Sequence, residues 1–294
     1  VTFVHRRIDV TFTKGSGGFE GEGNSVKLSK VRVAARVSKA GGNSFGQLQA
    51  TVWGLTLSRM NQLTTLGQKV QTVSKDKITI SAGDSAHGMS VAFEGNIFNA
   101  YADLQSAPQG GFVVSAQTEY ANSVAPTPAL SYSGGVDAAD ICKELARKMN
   151  LKFENNGVSV MLSDPYFSGS PLNQLERVCT AANISYAIDA GVLAIWKKNG
   201  FRGSGGSDQV PLVSPSTGLI SYPTYTASGI KVRSLYNPAI EFGKRIKLES
   251  DLKAATGLWT VYAMDYDLEA EVPGGKWEMN LDCYNPDFGL VVRT

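Results

Sequence analysis

The densest set of carboxylates in the chain is Asp265, Asp267, Glu269 and Glu271, spaced two apart in "AMDYDLEAEV". Two carboxylates facing each other across a cleft can run acid–base chemistry on a glycosidic bond. Side chains two apart on a strand instead stand side by side on one face. The spacing therefore reads as an outward polar row, solvated or turned toward a lumen, and not as a catalytic pair. His87 lies in "GDSAHG", close to Asp84, Ser81 and Ser85. A serine nucleophile needs a base held by a third group and an oxyanion hole, and one short loop does not build that geometry. His5, beside Arg6 and Arg7, reads as a surface element. The chain has two histidines and three cysteines, Cys142, Cys179 and Cys283, with no CxxC. That under-supplies a zinc site or a disulfide framework and fits thiols in a reducing compartment. The glycine-rich loop from Gly15 to Gly23 lacks both the GK[ST] ending and the GxGxxG spacing of phosphate cradles, so it reads as a long turn.

Two basic groups remain. Lys231 and Arg233 alternate with Ile230 and Val232, and Lys244, Arg245 and Lys247 form a second set. Either is a solvated strand face, or an interface or channel patch that meets acidic partners or passing nucleic acid. No aromatic residues interleave with them, which argues against a stacking platform for single strands. The whole chain of 294 residues carries a net charge of +2, with 18% charged and 43% hydrophobic residues. Any strong field must be local, while the apolar content is ample for a core. No apolar run approaches the ~18 residues of a membrane span. The opening "VTFVHRRIDVTF" has no long apolar stretch of the kind found in export peptides.

The elements that would position these residues follow from periodicity. "RIDVTFT" sets Ile8, Val10 and Phe12 against Asp9, Thr11 and Thr13, the alternation of a half-buried strand. "VKLSKVRVAARVS", "GQLQATVWGL", "DKITISAG", "GMSVAFEGNIFNAYADL" and "GFVVSAQT" read as further strands. A short helix after Ser58 as N-cap would bury Met60, Leu63 and Leu66. "NSVAPTPALSYSGG" marks a linker. Asp137 then caps a helix with Ile141, Cys142, Leu145 and Met149 on one face. Ser170-Pro171 opens a second helix that buries Leu172, Leu175, Val178 and Cys179. "GVSVML" is a strand, and "ISYAID" with "GVLAIW" is a hairpin turned at Asp189-Ala190-Gly191. This unit is small for independent folding and should lean on its neighbours. "KKNGFRGSGGSDQ" reads as a linker. After it "RIKLES", "GLWTVYAMDYDLEAEV" and "KWEMNLDCY" are strands, with Trp259, Val261 and Ala263 sharing one face. The order is all-β, then α+β, then all-β.

Between the last two regions lies "SPSTGLISYPTYTASGIKVRSLYNP", Ser214 to Pro238, with three prolines, many hydroxyls and no charge before Lys231. This segment, with "AIEFGKRIKLES", "GLWTVYAMDYDLEAEVPGGKWEMNLDCYNP" and the N-terminal blocks "RRIDVTFTKG", "VRVAARVSKAGG" and "LQATVWGLTLSRMNQLTTLG", resembles the tail baseplate hub proteins of bacteriophages. "GNIFNAYADLQSAPQGGFVVSAQ" is similar to the last strands of their first barrel.

The resemblance implies a mainly β chain of two β-barrel-like domains with a small α+β domain between them. Residues 1–130 would be the first barrel, 131–200 the small domain and 201–294 the second barrel, with 211–238 completing the first. It implies a structural homotrimer and not an enzyme: a pseudo-six-fold ring joining the tail tube to the central spike and letting DNA pass. The expected partners are further copies of the chain, a tail-tube or tail-end protein, the spike and other baseplate proteins. The expected location is the virion baseplate, after assembly in the host cytoplasm. No cofactor or metal is implied. The family's R-S-L-x-N-P pattern falls on Arg233, Ser234, Leu235, Asn237 and Pro238. Tyr222, Tyr225, Lys231, Arg233, Leu235, Tyr236 and Pro238 are the candidate interface or inter-barrel residues. The competing reading is a receptor- or carbohydrate-binding β module, which would display Tyr222, Tyr225 and Tyr236 together on one exposed face.

Overall fold

The computed structural model describes residues 5–19, 23–40, 45–65, 76–84, 88–105, 110–203 and 210–285. The first region contains β1 (Arg6–Thr13), β2 (Ser25–Leu28), β3 (Val33–Ala40), β4 (Gln47–Val52), α1 (Leu57–Leu63), β5 (Lys77–Asp84), β6 (Gly88–Asp103) and β7 (Gly111–Gln117). The middle region contains α2 (Tyr120–Val124), β8 (Leu130–Ser131), β9 (Gly135–Asp137), α3 (Ala138–Lys148), β10 (Lys152–Asn156), β11 (Met161–Ser163), β12 (Tyr166–Phe167), α4 (Pro171–Ala181), β13 (Ile184–Asp189) and β14 (Val192–Lys197). The last contains β15 (Leu212–Val213), β16 (Thr224–Thr226), β17 (Gly229–Leu235), β18 (Arg245–Leu248), β19 (Gly257–Ala270) and β20 (Trp277–Tyr284).

The two outer regions share one sheet. Its order is β16-β17-β20-β19-β3-β4-β7-β6-β5-β1-β2, with β18 beside β19 and β15 beside β18. Two long strands bend it. β6 pairs β5 through its first half and β7 through its second. β19 pairs β18 at Gly257–Thr260 and β3 at Ala263–Ala270, while β20 runs along its other edge. Bulges at Ile80/Ser81, Ile97/Asn99 and Val261/Ala263 supply the bends, since an extra residue kinks one strand and increases its twist. The sheet folds back on itself: Phe12 of β1 meets Phe112 of β7 edge to face at 6.2 Å across the core. Among the described residues no ladder closes it into a barrel. The molecule is mainly β, with a small α+β region.

Patterning explains most burial. Val10, Phe12, Ile78, Ile80, Val37, Val52, Val114, Leu268 and Met279 have no exposed surface and form one core shared by both outer regions. Three expectations change. The N-cap of α1 is Thr56, whose hydroxyl accepts from Arg59 N, and Ser58 lies inside the helix; Leu66 falls outside the described residues. The bulge after Val261 turns Ala263 away from Trp259 and Val261 and brings Met264 inward. Asp9 is buried beside Ile8 and Val10, because Arg7 and Lys27 fold over it with charged bonds of 2.7 and 2.9 Å.

In the middle region both caps are as read from the sequence. Asp137 Oδ1 accepts from Ala139 N at 2.9 Å, and Ser170 Oγ from Asn173 N at 3.3 Å ahead of Pro171. The β13–β14 hairpin turns on Ala190 and Gly191, both at positive φ (47° and 75°), the geometry a two-residue hairpin requires. β10 lies parallel to β14. Cys142 and Cys179 are buried, unbridged thiols in this second core, and Cys283 is one in the first. The unit leans on the large sheet through Trp196, which packs on Phe242 at 6.1 Å. Arg202 fastens the same seam. It is 8% exposed, makes bonds of 2.6 and 3.0 Å to the Glu154 carboxylate, and reaches Glu241 at 3.3 Å. Its bond holds Glu154 below the usual carboxylate range.

Candidate assembly surface

The Ser214–Pro238 segment begins as a hydroxyl-built turn. Ser214 is buried, its Oγ lies 2.9 Å from Ser216 Oγ, and its backbone N–H donates to Thr217 Oγ1 at 2.8 Å. Short hydroxyl side chains that bond the nearby backbone stand in for a regular ladder. The chain then runs along β17, with Ile220 N donating to Arg233 O and Leu235 N to Gly218 O. It reverses through β16, which pairs β17 and ends the sheet. One β-edge of the molecule therefore lies at this segment.

The structure divides the seven candidate residues. Tyr222 (65% exposed), Tyr225 (55%) and Leu235 (42%) are apolar side chains left in solvent at this end of the sheet. Lys231 pairs with Asp282 at 3.4 Å and Arg233 with Glu278 at 2.6 Å, both across to β20. Pro238 is half-buried in the loop leading to the core residue Ile240. Tyr236 stands apart: its ring sits edge-on to Tyr266 (5.3 Å) and Trp277 (5.8 Å), and its hydroxyl is 3.3 Å from Ser90 Oγ. Burial pushes its phenol pKa up. Tyr236 thus joins the last region to β6 of the first, and it does not stand with Tyr222 and Tyr225 on an exposed face.

The sheet register assembles a second feature from residues scattered through the sequence. One row of paired positions crosses six strands as Arg233, Asn280, Asp265, Ser38, Gln47 and Gln117. The adjacent row is Leu235, Glu278, Asp267, Arg36, Gln49 and Ser115. The acidic residues of "DYDLE" lie in the middle of this face, on a strand flanked on both sides, and not on a solvated edge. Asp267 approaches Arg36 at 3.8 Å, and Glu269 accepts from Lys276 N at 2.9 Å. Glu271 lies past the strand end at positive φ, 3.3 Å from His5. The face is thus polar, with many amides and hydroxyls and most of its charges paired within it. Sequence reading found its acids and the residues of β17 but not the rest, because amides and serines carry no signal until the register aligns them.

The remaining sequence candidates stay separate. Ser81 and Asp84 lie on β5, while Ser85 and His87 fall outside the described residues. Lys244 pairs with Glu241 and Lys247 with Glu249, and Arg245 stacks on Phe201 at 3.7 Å. The described part of the glycine-rich loop is a turn, closed by Lys14 N to Asn24 O at 2.8 Å and pinned by buried Phe19. Among the described residues no cluster of His, Cys, Asp and Glu could hold a metal ion, and no helix is long and apolar enough to cross a membrane.

A family profile described as "Baseplate hub gp41" matches residues 7–272, nearly the whole chain. The chain belongs to the baseplate hub gp41 family. No curated protein sequence matches it. Solved structures share the hub chain's fold at low identity. A tail protein from Neisseria meningitidis MC58 aligns with a TM-score of 0.62 and 8% identity, covering 94% of this chain and 96% of its own. The 43 kDa tail protein of prophage MuSo2 from Shewanella oneidensis gives 0.58 and 8%, covering 95% and 97%. An E. coli component of the type VI secretion system, described as structurally similar to the T4 phage tail proteins gp27 and gp5, gives 0.56 and 11%, covering 87% and 73%.

Proposed function

We propose that this hub chain is a structural subunit, three copies of which close into a ring between tail tube and central spike. The ring works by assembly and conduction, not by catalysis, and resides in the virion baseplate after assembly in the host cytoplasm. The bent stretches of sheet around β6 and β19 would supply two barrel-like halves, residues 1–130 and 201–294. Three copies then present six such halves to the tube and a three-fold face to the spike, with 131–200 outside.

The observation that carries this reading is the six-strand polar face with most of its charges paired. Duplex DNA binds protein mainly through cations that neutralise phosphates. A face rich in amides and hydroxyls, with its few cations already held by carboxylates, suits a lumen that passes DNA without holding it. The sheet end at β16 supports the ring. An unpaired strand edge is a template for pairing with another chain, and closed symmetry satisfies such edges. Tyr222, Tyr225 and Leu235 lie where that contact would form.

Mass photometry and electron-microscope class averages test the reading. The chain mixed with tail-tube and spike proteins should give three-fold rings, and Tyr222→Ala with Leu235→Ala should lower the ring fraction several-fold without shifting the thermal melt of the monomer. Only monomers in the presence of both partners would end it.

A further inference from the structure

The polar face has a second end. Its two rows stop on β7, and the second half of β6 flanks them there, with Asn96 paired to Gln117 and Asn99 to Ser115. The bulge between Ile97 and Asn99 leaves Phe98 at the surface, where its ring tilts against Tyr120 at 5.8 Å. Phe98, Tyr101 and Leu104 are each close to half exposed. Between this end and Leu235, the two rows carry no exposed large apolar side chain. Apolar surface thus borders the face at β17 and at β6 and is absent between them. Exposed apolar clusters rimmed by polar residues mark contact surfaces, and aromatic rings with a polar tip suit them.

Register relates the two ends. Phe98 and Asn99 lie at the level of the row that begins at Leu235. Two residues back along both strands, Lys231 and Glu94 lie level in the same way, one step beyond the row from Arg233 to Gln117 and Asn96. Lys231 is held loosely at its own end: it is 3.4 Å from Asp282 Oδ1, which makes no hydrogen bond. At the other end Glu94 and Glu119 share one nearby lysine, Lys77, 3.5 Å from Glu94. Apolar side chains therefore match apolar ones, and a loosely held cation matches a surplus of carboxylate. A two-fold axis pairs each surface with itself. Two unlike ends of one face meet head to tail, and such a contact closes into a ring when its rotation allows.

We propose that the β6 end of the polar face receives the β16–β17 end of the next copy of this chain. Phe98, with Tyr101 and Leu104 beside it, packs on Leu235 and the two exposed tyrosines, and Glu94 meets Lys231. The proposal rests on the ring reading above and names the surface that its open strand edge meets.

Cross-linking with a short bismaleimide tests it, in the full chain mixed with tail-tube and spike proteins. The three native thiols are buried, so introduced cysteines dominate the reaction. Phe98→Cys with Leu235→Cys in one chain should give covalent species of two and three copies on a denaturing gel. Either substitution alone should give single chains, because a head-to-tail contact never brings identical positions together. Phe98→Ala with Leu104→Ala should lower the ring fraction several-fold, as loss of Tyr222 and Leu235 does, without shifting the thermal melt of the monomer. Three-fold rings that form with no cross-link in the double variant, or at full yield in the alanine pair, would overturn this contact and leave the ring standing. Covalent dimers from a single variant would overturn it in favour of a two-fold contact. Absence of rings from the unaltered chain would remove both the ring and this contact.

Discussion

At the scale of single residues, alternation alone misleads at Asp9. Its place between Ile8 and Val10 predicts an outward side chain, yet it is 2% exposed. The difference arises because Lys27 comes from another strand that no local pattern links to Asp9, and it joins Arg7, two residues back on the same face, in covering the carboxylate. Burial alone would push the Asp9 pKa up. The bonds from Arg7, Lys27 and Ser29 outweigh burial and hold it below the usual carboxylate range. A depressed folded pKa contributes stability that is fully present above the unfolded value of about 4 and is lost as pH falls through the folded value. Asp9→Asn should therefore cost about 1.5–3 kcal/mol at pH 7, and the gap between variant and wild type should shrink as pH falls below the unfolded value and through the folded one. Urea unfolding of both at several pH values checks this; a gap that stays constant with pH would show that packing and not charge is at stake. Arg202 was hidden for a similar reason. In "NGFRGSGG" it looks like linker, and its partners Glu154 and Glu241 lie 48 and 39 residues away.

At the scale of elements, the caps and the hairpin turn of the middle region were legible because their signals are local, whereas the cap of α1 is Thr56 and not Ser58. Asp137, Ser170-Pro171 and Ala190-Gly191 each act on the backbone within three residues. β10 escaped notice because "KFENN" has no apolar alternation; it is a strand because β14 offers it an edge. The pairing of β19 with β3 joins residues more than 220 positions apart, and nothing in either sequence names the other. That one ladder turns two expected separate β regions into a continuous sheet. Some elements meet so closely that only glycine fits. Gly229, at the start of β17 with φ of 151°, is such a position: a Cβ there would lie 2.0 Å from the Cys283 carbonyl oxygen. L-residues avoid that conformation, and the neighbour is backbone that cannot swing away. Gly229→Ala should separate the beginning of β17 from β20, speed amide exchange at Ile230 and Cys283, and lower stability by about 2 kcal/mol or more. Unchanged exchange at those two amides would show that the hairpin absorbs the methyl group by shifting as a unit.

At the scale of the whole molecule, the proposed function rests on a face that no single segment contains. Its two rows draw residues from β17, β20, β19, β3, β4 and β7, so only the acidic stretch and the two basic residues of β17 stood out in the sequence. Gln49 and Ser115 are paired across β4 and β7, at the end of the second row, with Gln49 next to Arg36. If the face lines the DNA passage, making it basic should convert a surface that DNA slides past into one that holds it. Gln49→Lys with Ser115→Lys adds two unpaired cations per copy without touching the core. Assembled rings of the double variant should bind duplex DNA where the wild type binds weakly. The gain should fade with salt, steepening the logarithmic slope by about 0.9 for each phosphate contacted. Fluorescence anisotropy of a labelled duplex across 50–300 mM salt measures both quantities, with ring formation checked by mass photometry in the same samples. Rings that form normally yet bind DNA no better than wild type would place this face away from the passage.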